Sequence, residues 1–232
     1  MKKKRILSLA CLFAVILFSS CEIDNYDEPD GILTGRIIDA ITGNPVLTEQ
    51  PQGFRIRYEE ISWSETPTAQ FFWGKADGTF NNNKLFTGKY RITPVEGAFV
   101  TPDPKETDVS SGKTATVDFT VTPYISFSNV SIVKEGNSVR ATFTMSRNVE
   151  SAALQDYRVF ATAAAPYVGT QLFDNDVSTV AVGINESNLD VPVSVLLPEN
   201  FVSGKTYYIR VGARCQNSSS RYNMTEAVKI QM

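Results

Sequence analysis

The side chains that could carry out chemistry are few in this sequence. The 232 residues include 25 acidic and 22 basic side chains and three cysteines, but no histidine. Ser-His-Asp and Cys-His triads, His-ligated zinc sites and proton shuttling by an imidazole near neutral pH all need histidine, so the composition excludes them. Glycosidases need only two carboxylates and calcium sites only oxygen ligands, so these two classes stay open.

The carboxylates do not form a convincing reactive site. Glu59 and Glu60 are adjacent on a predicted strand, where neighbouring side chains point to opposite faces, so they cannot flank one glycosidic bond. Asp174-Asn175-Asp176 brings oxygen ligands together, but without the spacing of an EF-hand, and a solvated loop is favoured over a calcium site. We therefore expect no enzyme activity, no metal and no cofactor.

Aromatic side chains are the better candidates for binding. Nine of the 25 aromatic residues, both tryptophans among them, fall between Phe54 and Tyr90. Residues 59–68 are predicted to be a polar connection with Trp63 at its crown, and an exposed tryptophan can stack on the apolar C–H face of a sugar ring. The candidate carbohydrate-binding residues are Trp63, Trp73, Tyr58 and Asn82.

Each of these candidates has a structural alternative. Trp63 could fold back over one end of the domain, and Phe71, Phe72 and Trp73 could form a strand with both faces in the core. Residues 81–83, three consecutive asparagines, could serve turn chemistry in place of sugar binding.

The N-terminus is typical of an exported lipoprotein. Residues 2–5 are basic, and residues 6–18 form an uncharged, mainly apolar stretch of 13 residues, which is the length of a signal peptide and too short for a bilayer span. Ser19, Ser20 and Cys21 follow and resemble a bacterial lipobox, which implies lipidation at Cys21. An ordinary secretory signal with an incidental cysteine is the alternative.

A run of acidic residues follows Cys21. Residues 22–30 hold five carboxylates and no basic residue, which is typical of a solvated linker and resembles the surface-export signal of Bacteroidota lipoproteins. Without the signal peptide the chain has 18 basic and 25 acidic side chains, a net charge of −7, which argues against a nucleic-acid partner. Cys215 is then left without a cysteine partner, and we expect it to be buried and inert.

The remaining sequence predicts strands. Alternating patterns include Phe54, Ile56 and Tyr58, and a longer one over residues 114–121, in which Ala115, Val117, Phe119 and Val121 share a face. Turn residues such as Asp77-Gly78 and Thr87-Gly88 separate these runs. This spacing is typical of antiparallel β-sandwiches.

The first half of the chain resembles a known domain. Leu33 to Asp39, Thr42 to Val46, Ala76 to Phe80 and Leu85 to Tyr90 are similar, in order and spacing, to motifs of the carboxypeptidase-regulatory-like domain. The resemblance implies a transthyretin-like sandwich over residues 31–123 with no peptidase activity. Val46, Phe80 and Tyr90 are expected to face its core.

A second set of strand patterns follows residues 122–124. Val139, Ala141, Phe143 and Met145 alternate with polar residues, and residues 204–213 resemble the penultimate strand of fibronectin type III and immunoglobulin-like domains. In those folds a tyrosine near the strand start hydrogen-bonds back to the chain, and Tyr207 is the candidate here. The long stretch of residues 166–183 leaves the strand number open.

These features together resemble a two-domain family of Bacteroidota lipoproteins of unknown function. The expected organisation is a signal peptide (1–20), Cys21 with an acidic linker (21–30), and two all-β sandwich domains (31–123 and 124–232). The family is associated with SusC/SusD-type glycan-uptake pairs, which implies a lipid-anchored protein of the outer membrane, facing the cell surface, that binds carbohydrate weakly. The alternative is a structural module that docks onto an outer-membrane transporter and has no sugar site.

Overall fold

The computed structural model describes residues 28–216 and 219–232. The predicted signal peptide, the lipidation site Cys21 and most of the acidic linker lie outside the described residues. Within the described part of the chain, no helix is long and apolar enough to cross a membrane.

The first domain is a sandwich of two four-stranded sheets. Its strands are β1 (Gly31–Asp39), β2 (Arg55–Glu60), β3 (Gln70–Trp73), β4 (Thr79–Leu85), β5 (Gly88–Val95), β6 (Lys105–Val109), β7 (Thr114–Thr116) and β8 (Phe119–Val121). One sheet has the order β4–β1–β7, with β8 pairing farther along β1, and the other has the order β3–β2–β5–β6. β1 is antiparallel to β4 but parallel to β7 and β8.

The strand expected over residues 114–121 is interrupted in its middle. Val117 and Phe119 are buried as the alternating pattern predicts, but β7 ends at Thr116 and β8 begins at Phe119. Between them, the Asp118 side chain takes over one strand hydrogen bond, because its Oδ1 accepts from the Arg36 backbone N–H at 3.1 Å. A side-chain acceptor therefore replaces a backbone carbonyl at the break.

The two sheets enclose an apolar core. Val46, Phe80 and Tyr90 are buried in it, as the resemblance implied. Gly78 has φ +77°, and a Cβ there would lie 2.6 Å from the Val46 carbonyl oxygen, so only glycine fits this turn.

The second domain also has two sheets. Its elements are β9 (Ile125–Glu135), β10 (Ser138–Arg147), β11 (Ala153–Thr162), β12 (Val182–Gly183), a 3-10 helix (Glu186–Asn188), β13 (Pro192–Leu196), β14 (Thr206–Gln216), β15 (Asn223–Met224) and β16 (Val228–Gln231). One sheet has the order β13–β10–β9. The other has the order β12–β11–β14–β15, and β16 also pairs with β14. The inward residues of β10 predicted above are all fully buried.

Tyr207 holds the corner predicted for it. It lies one residue after the start of β14, its ring packs edge-on against Phe201, and its hydroxyl accepts a hydrogen bond from the Val202 backbone N–H at 3.1 Å. The long stretch before β12 packs along the edge of β11, where the Thr179 N–H donates to the Val159 carbonyl at 3.0 Å. The expected fold class, all-β with two sandwich domains, is confirmed.

The two domains meet through a polar junction. The Tyr124 N–H donates to the Ala98 carbonyl at 3.1 Å, and the Met224 N–H donates to the Leu47 carbonyl at 3.3 Å. The buried Arg210 guanidinium donates to the Thr48 carbonyl across the junction at 3.3 Å. Burial lowers the pKa of Arg210 to about 10, but three carbonyl oxygens accept hydrogen bonds from its Nε and Nη1 and so stabilise the cation.

Candidate functional site

The connection between β2 and β3 presents Trp63 to solvent. The Trp63 side chain is 86% exposed, so it does not fold back over the sandwich. The two residues before Trp63 are held, since the Ile61 N–H donates to the Lys89 carbonyl and the Lys89 N–H donates to Ser62 Oγ, each at 2.7 Å. The exposure of the ring is therefore set by a loop fixed to β5.

One groove lies on the β5–β6 side of Trp63, and we call it the sheet-side groove. It encloses about 530 Å³ and is lined by Ile61, Ser62, Trp63, Ser64, Glu65, Lys89, Arg91 and Glu106. Glu106 bridges two cations, with Lys89 Nζ at 2.8 Å and Arg91 at 3.5 Å. The hydrogen bond and charge of Lys89 lower the pKa of Glu106, and those of Glu106 raise the pKa of Lys89.

A second groove is also lined by Trp63 but lies on the opposite face of β5, since Tyr90 lines it whereas Lys89 and Arg91 line the first, and we call it the end groove. It encloses about 350 Å³ between the β2–β3 pair and the turn from β4 to β5, and its lining residues are Tyr58, Glu60, Trp63, Gln70, Lys84, Leu85, Phe86, Thr87 and Tyr90. The Phe86 ring is 57% exposed, so it adds a second accessible aromatic surface. The Tyr90 hydroxyl donates to the Phe86 carbonyl at 3.0 Å and fixes the turn that carries this ring.

Tyr58 lines the end groove and contacts Asn82, which is not itself one of the lining residues. The Tyr58 hydroxyl donates to Gln70 Oε1 at 2.8 Å and is also hydrogen-bonded to the Asn82 side chain. Burial raises the pKa of Tyr58, so the phenol is a neutral hydrogen-bonding group at physiological pH. Asn82 lies within β4 and not in a turn, and its Oδ1 accepts from the Lys84 N–H at 3.0 Å.

Trp73 lies apart from Trp63. It ends β3 opposite Arg55, about 10 Å along the strand from the Gln70 end that borders the end groove. Its ring, 39% exposed, lies beside two guanidinium groups, with Arg55 at 5.4 Å and Arg221 of the second domain at 5.5 Å. In β3 only Phe72 turns toward the core, where it packs against Phe80, so the strand does not bury both faces.

The carboxylates near Trp63 have separate partners. Glu59 is buried and pairs with Arg57 at 2.6 Å, whereas Glu60 accepts from the Ser62 N–H at 3.0 Å. They do not converge on a common point. Among the described residues, no group of three or more His, Cys, Asp or Glu side chains is arranged to hold a metal ion.

A third concavity lies in the junction between the domains. It encloses about 390 Å³, and Asp39, Asn223 and Phe127 are among its lining residues. Two of its polar side chains are already engaged: the Asp39 carboxylate accepts from the Ile41 N–H and the Thr42 hydroxyl, and Asn223 bonds to the backbone of both domains. Trp63 and its two grooves therefore remain the stronger candidate for a binding site.

Sequence reasoning missed several residues that surround Trp63. Phe86, Gln70, Lys89 and Glu106 come from four different strands or turns and reach Trp63 only through strand pairing. One signal was available for Phe86, because an aromatic residue directly before the Thr87-Gly88 turn has little core to enter.

Comparisons with known proteins identify both halves of the chain. Residues 31–122 match the N-terminal domain of a family of unknown function, DUF3823, and residues 125–229 match the domain of unknown function DUF3823_C. No curated protein matches the sequence.

Solved structures extend over most of the chain. A DUF3823 family protein from Bacteroides uniformis is 23% identical, with a TM-score of 0.75, and one from Parabacteroides merdae is 20% identical, with a TM-score of 0.70. A further protein from Bacteroides uniformis, named a "putative carbohydrate binding protein", is 26% identical, with a TM-score of 0.73. Each comparison covers 88% of this chain and 100% of the other. No catalytic family is among these matches.

Proposed function

We propose that this chain, which belongs to the two-domain DUF3823 family, is a non-catalytic carbohydrate-binding protein. The observation that carries the proposal is Trp63, a largely exposed ring on a fixed loop between two grooves. The structural relative named a "putative carbohydrate binding protein" supports the same class of ligand.

The physical basis is stacking between the indole and a sugar ring. Covering roughly 100 Å² of apolar surface contributes about 2.5 kcal/mol at about 25 cal/mol per Å². Such a contact gives weak binding by itself, because association also costs translational and rotational freedom. A polysaccharide offers many equivalent sugars, and several copies of the protein on one membrane can bind it together.

Attachment to a membrane would make this weak binding useful. We propose that Cys21 is lipidated and that the acidic linker holds the domains away from the outer-membrane surface, beside a SusC/SusD-type uptake pair. Two or three acyl chains, at about 0.8 kcal/mol per buried methylene, hold a protein at a membrane far more firmly than one. The N-terminal sequence supports the anchor, and the family resemblance described above supports the position beside an uptake pair.

Affinity electrophoresis of the mature chain through gels containing soluble polysaccharides tests the proposal. We expect at least one polysaccharide to retard the protein and Trp63→Ala to abolish most of the retardation. Tyr167→Ala is the matched control, because Tyr167 is another exposed aromatic, at 64%, but lies in the second domain. The proposal is wrong if no polysaccharide retards the protein.

A pull-down from native membranes separates this function from transporter docking. Capture of a transporter pair equally by the wild type and Trp63→Ala, with no retardation in any gel, would favour the docking module.

A further inference from the structure

Trp63 forms part of the lining of both the sheet-side groove and the end groove. The two grooves lie on opposite faces of β5 and both border this ring, so neighbouring sugars of a chain stacked on it can extend into each. We infer that the site takes an internal stretch of an uncharged polysaccharide, with one sugar on Trp63 and at least one in each groove. This inference rests on the proposed carbohydrate-binding function.

The sizes of the grooves support a chain and not a single sugar. At about 530 and about 350 Å³, each groove alone lies within the usual range for a small-molecule pocket, about 300–1,000 Å³. A monosaccharide on Trp63 would leave at least one of them to water. A chain that passes over the ring occupies both and needs neither of its ends to be recognised.

The charges of the grooves favour an uncharged ligand. The sheet-side groove contains Lys89 and Arg91 together with Glu65 and Glu106, so its formal charges cancel. The end groove contains one acidic and one basic residue, Glu60 and Lys84, which also cancel. Because neither groove has an excess of positive charge, neither provides the field that would concentrate an anionic polysaccharide.

The two grooves offer different contacts to a sugar. The end groove presents apolar surface through Phe86 and Tyr58, which suits the C–H faces of a ring. The sheet-side groove presents the exposed charged groups of Lys89 and Glu106, which form stronger hydrogen bonds to hydroxyl groups than neutral side chains do. A chain lying across Trp63 would meet one kind of surface on each side.

The first experiment compares neutral with anionic polymers and then long chains with short ones. The mature chain is run in gels that contain a neutral polymer (a β-glucan, mannan or xylan) or an anionic one (polygalacturonate or chondroitin sulfate). Oligosaccharides of increasing length from the retarding polymer are then titrated by calorimetry. We expect retardation by a neutral polymer and an affinity that rises at least about tenfold from the monosaccharide to the trisaccharide.

The second experiment tests whether both grooves are occupied. Phe86→Ala alters the end groove and Lys89→Ala the sheet-side groove, and both side chains are well exposed, so folding should be retained. Each variant should weaken binding of the longest oligosaccharide by about tenfold, whereas Tyr167→Ala should not.

The outcomes separate this inference from the proposed function. Binding of anionic polymers alone, equal affinity for monosaccharide and longer chains, or no effect of one groove variant would overturn the inference and leave carbohydrate binding intact. Failure of every polymer to bind would remove both.

Discussion

The side-chain amide of Asn223 donates to the backbone carbonyl of Ala98, 2.9 Å away, across the junction between the two domains. Its oxygen accepts from the Ile125 N–H at 3.0 Å, so one buried side chain binds the first domain and the start of the second. An amide can satisfy a donor and an acceptor at once, which an apolar side chain in this place could not do. The two domains are thus connected by side-chain bonds as well as by the chain.

We expect Asn223→Ala to destabilise the protein by about 2–4 kcal/mol, because a buried N–H and a buried carbonyl both lose their partner. Chemical denaturation monitored by circular dichroism measures this difference in the free energy of unfolding. Asn83→Ala, at an exposed position of β4, is the control and should change the stability by less than about 0.5 kcal/mol. Equal stability of the two variants would contradict the role assigned to Asn223.

Tyr207→Phe should lower the free energy of unfolding by about 1 kcal/mol. The substitution removes the hydroxyl that accepts from the Val202 N–H but keeps the ring against Phe201. Tyr208→Phe is a matched control on the next residue, whose side chain is only partly buried. If both substitutions have the same effect, the hydrogen bond at the corner contributes nothing to stability.

The two tryptophans should differ in fluorescence. Trp73→Phe leaves Trp63 as the single tryptophan, and we expect water-like emission that acrylamide quenches efficiently. Trp63→Phe leaves Trp73 beside Arg55 and Arg221, where quenching should be weaker. A bound polysaccharide should protect the first variant only. Similar quenching of both variants would show that the environments of the two rings do not differ as described.

Cys215 should resist alkylation in the folded protein. Its side chain is fully buried, and burial raises the pKa of the thiol to about 11, so thiolate is scarce and inaccessible at neutral pH. In a chain with Cys11→Ala and Cys21→Ala, iodoacetamide should modify Cys215 only after unfolding, as mass spectrometry would show. Rapid modification without denaturant would mean that the hydrophobic core of the second domain opens readily.

Alkaline pH should reveal the environment of Tyr90. Burial, with smaller contributions from Glu60 and Tyr58, raises the pKa of Tyr90 to about 12. The unfolded chain releases the phenol proton near pH 10. The contribution of the neutral Tyr90 side chain to the free energy of unfolding is therefore complete below about pH 10 and is lost as pH rises toward 12. The stability of wild type relative to Tyr90→Phe should fall by about 1 kcal/mol from about pH 10 to about pH 11. A constant difference would contradict the raised pKa.

Periodicity was sufficient to predict much of the fold. In β10, a shift of one residue would turn Val139, Ala141, Phe143 and Met145 out to solvent, so the pattern alone identifies the buried face. The parallel pairing of β1 with β7 could not be predicted in this way. It depends on which strands become neighbours, and alternation within a strand carries no information about its partner.

The candidate site was predictable only at its centre. Trp63 stands out because a large aromatic in a polar connection requires an explanation. Its neighbours Phe86 and Glu106 are brought close by the pairing of β5 with β6 and by the turn before β5. Trp73 was included among the candidate binding residues although it lies elsewhere, because closeness to Trp63 in sequence did not bring it to the same surface.

The position of β1 has a mechanical consequence. β1 lies inside its sheet, with β4 on one side and β7 and β8 on the other. Tension applied to the chain ahead of Gly31 runs along this strand and strains the hydrogen bonds of both flanking pairs together, in shear, instead of opening them one after another. The lipid anchor proposed at Cys21 would pull on a strand that is paired along both edges, so drag on a polysaccharide bound at Trp63 would load these hydrogen bonds in shear.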